Sequence, residues 1–477
     1  MINIIFKIII DLKVKEEGKM VFSSILFIFR FLPISMLIYF LTPQRFKNLS
    51  LLILSLVFYS WGEPKYFFIM IASIFVDYFI SQGIEKYEKN KKVKVSFLIT
   101  SIVFNLGMLF FFKYFNFFIE NINNIFNLSI NYVRITLPLG ISFYTFQTMS
   151  YTIDVFLGKV KAEKNIINFG AFVCLFPQLI AGPIVKYTDI NNELKNRKVN
   201  LSQIQDGVQL FILGLGSKVL IANNIGALWS EIESKGFNNI GTILAWISVL
   251  AFALQIYFDF SGYSLMAIGL GKMLGFNFPR NFNYPYISRS ITEFWRRWHI
   301  TLGSWFKEYV YIPLGGNRVG KYRIYFNLFI VWFLTGFWHG ASYNFILWGL
   351  YFFILISIEK AGLLVFLEKH KLLSYIYSLF FILIGWAIFA VVDLNQIKIL
   401  LQRMFTINMD TKWIYYIRNY GITFMIAMIF STPLIEKLYK KIVKSDIVNT
   451  VILMIIFLLC IAYLVDATYN PFLYFRF

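Results

Sequence analysis

The sequence predicts an all-α polytopic membrane protein with about 10–12 transmembrane helices, joined by re-entrant and interfacial helices. Three observations predict it. Of the 477 residues, 58% are hydrophobic and 20% aromatic, with a mean hydropathy of +0.65, more apolar surface than a soluble core of this length hides. Apolar runs long enough to cross a bilayer recur along the whole chain. The formal charge of +20 comes from Lys and Arg gathered in the short connections between those runs, where the positive-inside rule puts them. A basic chain can attract nucleic acid, but this distribution is a signal of topology, and no nucleic-acid partner is expected.

Taken in order, residues 1–19 hold a short apolar stretch and then DLKVKEEGK. That stretch is too short to span, and its charge follows the apolar run where a cleaved signal peptide has it in front. The segment reads as an N-terminal extension with translation starting at Met20, which leaves 20–477 as a single membrane domain. Candidate spans lie near 22–41, 48–60, 66–81, 97–118, 137–157, 207–228, 241–260, 325–338, 341–358, 372–392, 415–431 and 448–466. The cluster Lys86, Lys89, Lys91, Lys92 and Lys94 marks a cytoplasmic loop, as does the basic segment 437–444; Met20 and Phe477 are then outside. The basic loops 159–164 and 186–198 share the cytoplasmic side, so the apolar FGAFVCLFPQLIAG between them (169–182) must enter and return on one face. Such backbone is tolerated at depth only where it lines protein or a wet cavity. The two cysteines, Cys174 and Cys460, stand far apart in apolar surroundings and read as packing residues. With no CxxC or Cys/His cluster, neither a disulfide nor a metal site is expected.

Residues 259–323 run from DFSGYS through NFNYPYISRSITEFWRRWHITLGSWFKEYVYIPLGGNR. They are too polar and too rich in Pro and Gly to span, yet too aromatic for a solvated loop, which describes interfacial or re-entrant helices at the cytoplasmic face. Thr292 and Glu293 read as a helix start. On one continuous helix Trp295, Trp298, His299 and Leu302 would share a face while Arg296 and Arg297 turn to another. A cytoplasmic face built from Arg296, Arg297, Arg318, Lys321 and Arg323 would suit the anionic part of a donor, because the planar guanidinium bonds two phosphate oxygens at once. The alternative is that Trp and Arg merely anchor the element at headgroup level. His299 could equally be a hydrogen-bonded wall residue, and His370, in EKHK, reads as solvated.

The pentapeptide GFWHG puts His339 between Gly336 and Gly340, at bilayer depth, with apolar sequence on both sides and no carboxylate nearby in the chain. Ionisable groups at such depth are costly and usually face a cavity or a reaction path, and His is suited to moving a proton near neutral pH. The alternative is a structural His bonded to a backbone carbonyl between helices, with the glycines allowing close approach. Acyl transfer from a thioester to a hydroxyl needs a base, donors for the tetrahedral oxyanion and exclusion of water. His339 could be the base; Asn344, Trp338 and His299 are candidate oxyanion donors. No GxSxG elbow, P-loop or HExxH is present, which removes support from a serine acyl-enzyme, an NTP-driven pump and a zinc hydrolase.

Together MVFSSILFIFRFLP, SLVFYSWGEP, LPLGISFYTFQTMSYTIDV, FPQLIAGPIVKY, QIYFDFSGYS, EFWRRWHITLGSWFKEYVYIPLGGNR and GFWHGASYNFILWG resemble the membrane-bound O-acyltransferase family, in its alginate O-acetylation branch; the D-alanyl exporter of teichoic acid modification is a relative. The resemblance implies a ring-like helical fold with a central passage, His339 as the active-site His and His299 as the family's second characteristic His. It further implies an inner-membrane enzyme with no bound cofactor. Such an enzyme takes acetyl from cytoplasmic acetyl-CoA and passes it to an extracytoplasmic acyltransferase partner for placement on a surface polysaccharide. The chain departs from the family pattern at Leu265 (Asp in the pattern), Lys307-Glu308 (Arg-Asp) and Tyr351-Phe352 (His-Gly). An acyl exporter to a cell-wall polymer and a polysaccharide or lipid flippase are the alternatives; an inverted-repeat transporter would show similar halves, and the two halves show no such similarity.

Overall fold

The computed structural model describes residues 20–466 except Ala181 and Met409. The expected extension 1–19 and the expected outside position of Phe477 lie outside the described residues. Those described form helices and connections with no strand among them, as a chain whose backbone polar groups must be satisfied in lipid requires.

Among the described residues seven helices are long and apolar enough to cross a bilayer: Phe67–Lys86, Lys91–Phe126, Leu201–Lys235, Thr242–Met273, Tyr343–Lys369, Lys371–Ala390 and Asp446–Asp466. The bent pair Lys412–Phe430 and Leu434–Ile442 makes an eighth if counted as one span. This is fewer than expected, for a physical reason. Hydropathy reports that a segment avoids water, not whether lipid or protein covers it. The expected span 137–157 is the helix Ile141–Phe156, of 16 residues, about 24 Å long against a hydrocarbon core of about 30 Å. Every residue from Ile141 to Thr152 is buried in protein. Phe27–Leu41 and Lys47–Gly62 are likewise short helices. By contrast Asp446–Asp466 has few buried residues, Leu453 and Cys460 among them, as a helix facing lipid on most sides does.

Leu201–Gly216 and Thr242–Met273 cross backbone to backbone. A Cβ on Gly207 would come within 2.6 Å of the Gly269 carbonyl oxygen, and one on Gly214 within 2.5 Å of that of Gly262, the small-residue approach that replaces the hydrophobic drive between helices in lipid. Beside this seam Lys218 and Asp259 form a buried ion pair at 2.6 Å. Thr242–Met273 is one helix of 32 residues, so the DFSGYS segment, expected to open the interfacial region, instead continues the span; its Asp259 is matched by Lys218 from the neighbouring helix, a partner no local pattern reveals. A second polar tie joins three helices: Asp77 accepts from Ser101 Oγ at 2.6 Å and Asn105 Nδ2 at 2.9 Å, and Asn105 Oδ1 accepts from Thr148 Oγ1 at 3.0 Å.

The segment expected to be re-entrant is the short helix Ile166–Cys174 followed by irregular backbone. Phe169 through Phe176 are buried, Phe176 N–H donates to Ser55 Oγ (3.0 Å) and Gln178 Nε2 to the Phe172 carbonyl (2.6 Å). Protein thus supplies the partners that lipid could not. Both cysteines are free and buried. The core divides into two aromatic clusters. One gathers Phe143, Phe146, Trp305 and Trp338; the other gathers Phe282, Trp298, Phe345, Trp348 and Phe389. The candidate site lies on the seam between them.

Candidate active site

Two short helices and one long one build the site. Ile291–Arg297 is capped by Ser290, whose Oγ accepts from Glu293 N–H at 3.0 Å, while the Glu293 carboxylate accepts from Arg289 N–H at 2.9 Å, so the helix begins one residue ahead of the expected start. The first N–H groups of this helix, at Ile291 (2.6 Å) and Thr292 (2.8 Å), donate to the buried Glu359 carboxylate, which Thr292 Oγ1 also reaches. A carboxylate at a helix N-terminus satisfies orphan donors and the dipole together.

The helix then stops. His299 has φ +43 and a second helix, Ile300–Phe306, begins after it, so Trp295, Trp298, His299 and Leu302 do not share one continuous helical face as expected. The left-handed residue redirects the chain, a conformation that His tolerates better than most side chains. It turns the imidazole inward: His299 is 2% exposed, with Phe260 edge-on at 4.7 Å between ring centroids. Its Nδ1 lies 3.1 Å from Asn281 Oδ1. That oxygen also accepts from Thr301 N–H and Oγ1, at 3.3 and 2.9 Å, while Asn281 Nδ2 donates to Ser264 Oγ at 3.0 Å. A backbone N–H can only donate, which fixes Oδ1 as an acceptor and makes His299 Nδ1 the protonated nitrogen. Nε2 keeps its lone pair and is buried with no hydrogen-bond partner.

His339 is the last residue of the helix Lys321–His339, and Gly340 continues in extended conformation. The flanking glycines do what close packing demands: a Cβ on Gly336 would meet the Phe345 carbonyl oxygen at 2.3 Å, one on Gly340 the Phe345 ring at 2.3 Å. The imidazole stands edge-on to Trp348 and Phe389, at 5.1 and 5.2 Å, with Trp338 at 5.0 Å. Among the described residues its ring nitrogens make no hydrogen bond to protein, so the bridge to a backbone carbonyl that a structural role would require is not formed. Trp338 connects the two histidines, 6.2 Å from His299 by ring centroid, and its indole N–H is buried without a partner. Beside His339 opens a cavity of about 310 Å³, lined by Lys113, Asn116, Gly340, Ser342 and Val392 among others.

The other expected residues are distributed differently. Asn344 is buried and its Nδ2 donates to the Phe389 carbonyl at 3.1 Å, with that of Ile388 at 3.5 Å, which directs its donors at backbone. Arg297 bonds Glu293 (2.8 Å) and the Asn283 carbonyl (3.1 Å). Arg296, Arg318, Lys321 and Arg323 are exposed. His370 is exposed. Of the departures from the family pattern, Glu308 pairs with Lys186 at 2.8 Å, and Phe352 fills the space between Trp295 and Trp348, at 4.9 and 5.2 Å. Sequence reading missed Asn281 and Glu359, whose partners lie far along the chain. It also missed Lys113, although a lone Lys inside LFFFKYFNFF is a signal of function at depth.

The site thus brings together a buried His299 with an unpartnered Nε2, a half-buried His339 and the unpartnered indole N–H of Trp338, set in a polytopic helical fold. Residues 159–391 match the family model described as the membrane-bound O-acyltransferase family. The chain belongs to this family and is a membrane-bound O-acyltransferase. It is 41% identical to the "Probable alginate O-acetylase" of Pseudomonas aeruginosa over 81% of this chain and 75% of that protein. To the peptidoglycan O-acetyltransferase of Helicobacter pylori it is 36% identical, over 82% and 80%. To the teichoic acid D-alanyltransferase of Streptococcus thermophilus it is 31% identical, over 47% and 57%.

Proposed function

We propose that this protein is a polysaccharide O-acetyltransferase of the cytoplasmic (inner) membrane. It takes acetyl from acetyl-CoA on the cytoplasmic side and passes it across the membrane to an extracytoplasmic acyltransferase partner, which sets it on a surface polysaccharide. The observation that carries the reading is the Trp338–His339 pair beside His299, with acceptor nitrogens and a donor N–H that the protein leaves unused. Acetyl, not D-alanyl, is favoured because the relatives named for O-acetylation align over most of the chain and the D-alanyltransferase over less than half.

In this reading His339 accepts the proton of the attacking hydroxyl as its oxygen bonds the thioester carbon. The Trp338 N–H faces the oxyanion of the tetrahedral intermediate. The C–S bond then breaks, and the proton held on His339 passes to the departing thiolate, leaving the ester and the free thiol. His299, a neutral imidazole with Nε2 unprotonated, lines the same space as a hydrogen-bond acceptor. The aromatic walls exclude the water that would hydrolyse the thioester. The exposed Arg296, Arg318, Lys321 and Arg323 are the face for the CoA phosphates, where a guanidinium can bond two oxygens.

The test compares O-acetyl content of surface glycans by mass spectrometry in cells with and without the gene, complemented by wild type, His339→Ala or His339→Gln. The expected result is loss of glycan O-acetyl groups in the deletion and in both variants at normal protein yield, since a missing base costs about 10²–10⁴-fold. A His339→Gln protein that acetylates glycan within about tenfold of wild type, less than a lost base costs, would overturn the mechanism. An unchanged glycan in the deletion would overturn the function.

A further inference from the structure

The end of the helix that carries His339 has no cap of its own. Its last residue is His339, Gly340 leaves in extended conformation and its N–H returns no bond to the helix, so the carbonyls of the final turn need donors from elsewhere. In water they would hydrate, whereas in an apolar interior each unmet carbonyl costs free energy. The donors come from a different helix. Lys113 Nζ donates to the Trp338 carbonyl at 2.7 Å and the His339 carbonyl at 2.9 Å, and Tyr114 Oη donates to the Phe337 carbonyl at 2.7 Å. The Tyr114 ring stacks on Phe337 at 4.1 Å with an interplanar angle of 11°. Three consecutive carbonyls, ending on His339, are thus held by two consecutive side chains.

Two neighbours on a regular α-helix point about 100° apart and do not face one target. Lys113 and Tyr114 belong to the π-turn Phe110–Tyr114 inside Lys91–Phe126. The widened turn is a local departure that helices carry mostly where function requires it, and here it delivers both side chains to one helix end. The ammonium has three N–H donors, two of them on these carbonyls, and Lys113 also lines the cavity beside His339. A cation at a helix C-terminus is favoured by the dipole, and the low dielectric strengthens the attachment.

We propose that the π-turn Phe110–Tyr114 is a clamp that positions His339, with Lys113 and Tyr114 as positioning residues for acyl transfer. The inference rests on the reading of His339 as the base. The clamp fixes the backbone from which the imidazole projects and touches neither nitrogen of the ring; its loss therefore appears in turnover and not in donor binding. A displacement of about 1 Å at a reacting group costs on the order of 10²-fold in rate.

The experiment uses the full-length protein in nanodiscs together with its extracytoplasmic acyltransferase partner as the hydroxyl acceptor, with acetyl-CoA as donor and thiol release as readout, comparing Lys113→Met, Lys113→Arg, Tyr114→Phe and His339→Gln. Lys113→Met should lower kcat about 10²-fold with KM for acetyl-CoA unchanged, and Lys113→Arg, which keeps a cationic donor, should restore most of it. Tyr114→Phe keeps the stacked ring, loses only the one hydroxyl, and should lower kcat severalfold at unchanged KM. If Lys113→Met fails to fold, the Arg and Phe variants decide: full kcat in Tyr114→Phe overturns the clamp. Wild-type kcat in Lys113→Met, or a rise in KM with kcat intact, overturns it too. His339→Gln separates the two ideas. If it is inactive while the clamp variants are normal, only the clamp falls. If it is fully active, the base assignment falls first.

Discussion

At the residue scale the site depends on which nitrogen of His299 holds a proton. Asn281 decides that, because its Oδ1 already accepts from the Thr301 backbone N–H and presents His299 with an acceptor. Replacing Asn281 by Leu removes the acceptor, frees the ring to flip, and should lower acyl transfer by about 10²-fold, the scale of a misplaced reacting group. Asn281→Asp keeps an acceptor toward both His299 and Thr301 and should recover much of the rate; equal loss in both variants, measured as initial rates at saturating donor, would reduce Asn281 to a packing residue. The sequence singled out both histidines, one from its depth between apolar runs and the other from its aromatic surroundings, and the fold brings them to either side of Trp338. Asn281 was not, since NFNYP reads as any polar turn and its role exists only once the chain folds back on His299. The left-handed break at His299 was equally hidden: periodicity carried through FWRRWHITLG without interruption, and only the three-dimensional path reveals the stop.

At the scale of elements, charge inside the membrane is handled by pairs supplied across helices. Lys218 and Asp259 are 2% and 3% exposed at the side chain, which makes the pair costly to break and nearly neutral to replace outright. Lys218→Met should destabilise the protein by about 3–5 kcal/mol, and Lys218→Met with Asp259→Leu should recover most of the loss. Thermal unfolding in detergent checks both, and a double variant as unstable as the single one would mean the pair does more than balance charge. The elements themselves were mostly readable: each of the seven long helices overlaps an expected span. The errors fell where protein, not lipid, covers an apolar helix, as in Ile141–Phe156, and where a charge is matched at a distance. Asp259 looked like the end of a span because its partner, Lys218, is 41 residues away by the numbering of the pair.

At the scale of the whole molecule, the positive-inside argument orients the bundle, with Lys92 cytoplasmic and the connection between Lys371–Ala390 and Lys412–Phe430 outside. Single-cysteine labelling tests it directly, since the native Cys174 and Cys460 are both buried and give little background. Lys92→Cys should resist an impermeant reagent in intact cells and react after permeabilisation. Ile407→Cys, at a position 88% exposed, should react from outside without it. The reverse pattern would invert the molecule.

The glycine crossing of Leu201–Gly216 with Thr242–Met273 also limits how this enzyme can move. Its contacts recur seven residues apart on each helix, Gly207 with Gly269 and Gly214 with Gly262, so they work as two notches in register. Sliding one helix by a turn, about 5.4 Å, would drive Phe258 or Met266 against the backbone at Gly214, where even a methyl group has no room. Sliding of these two helices past each other is thereby forbidden, so they act as one rigid block within the bundle.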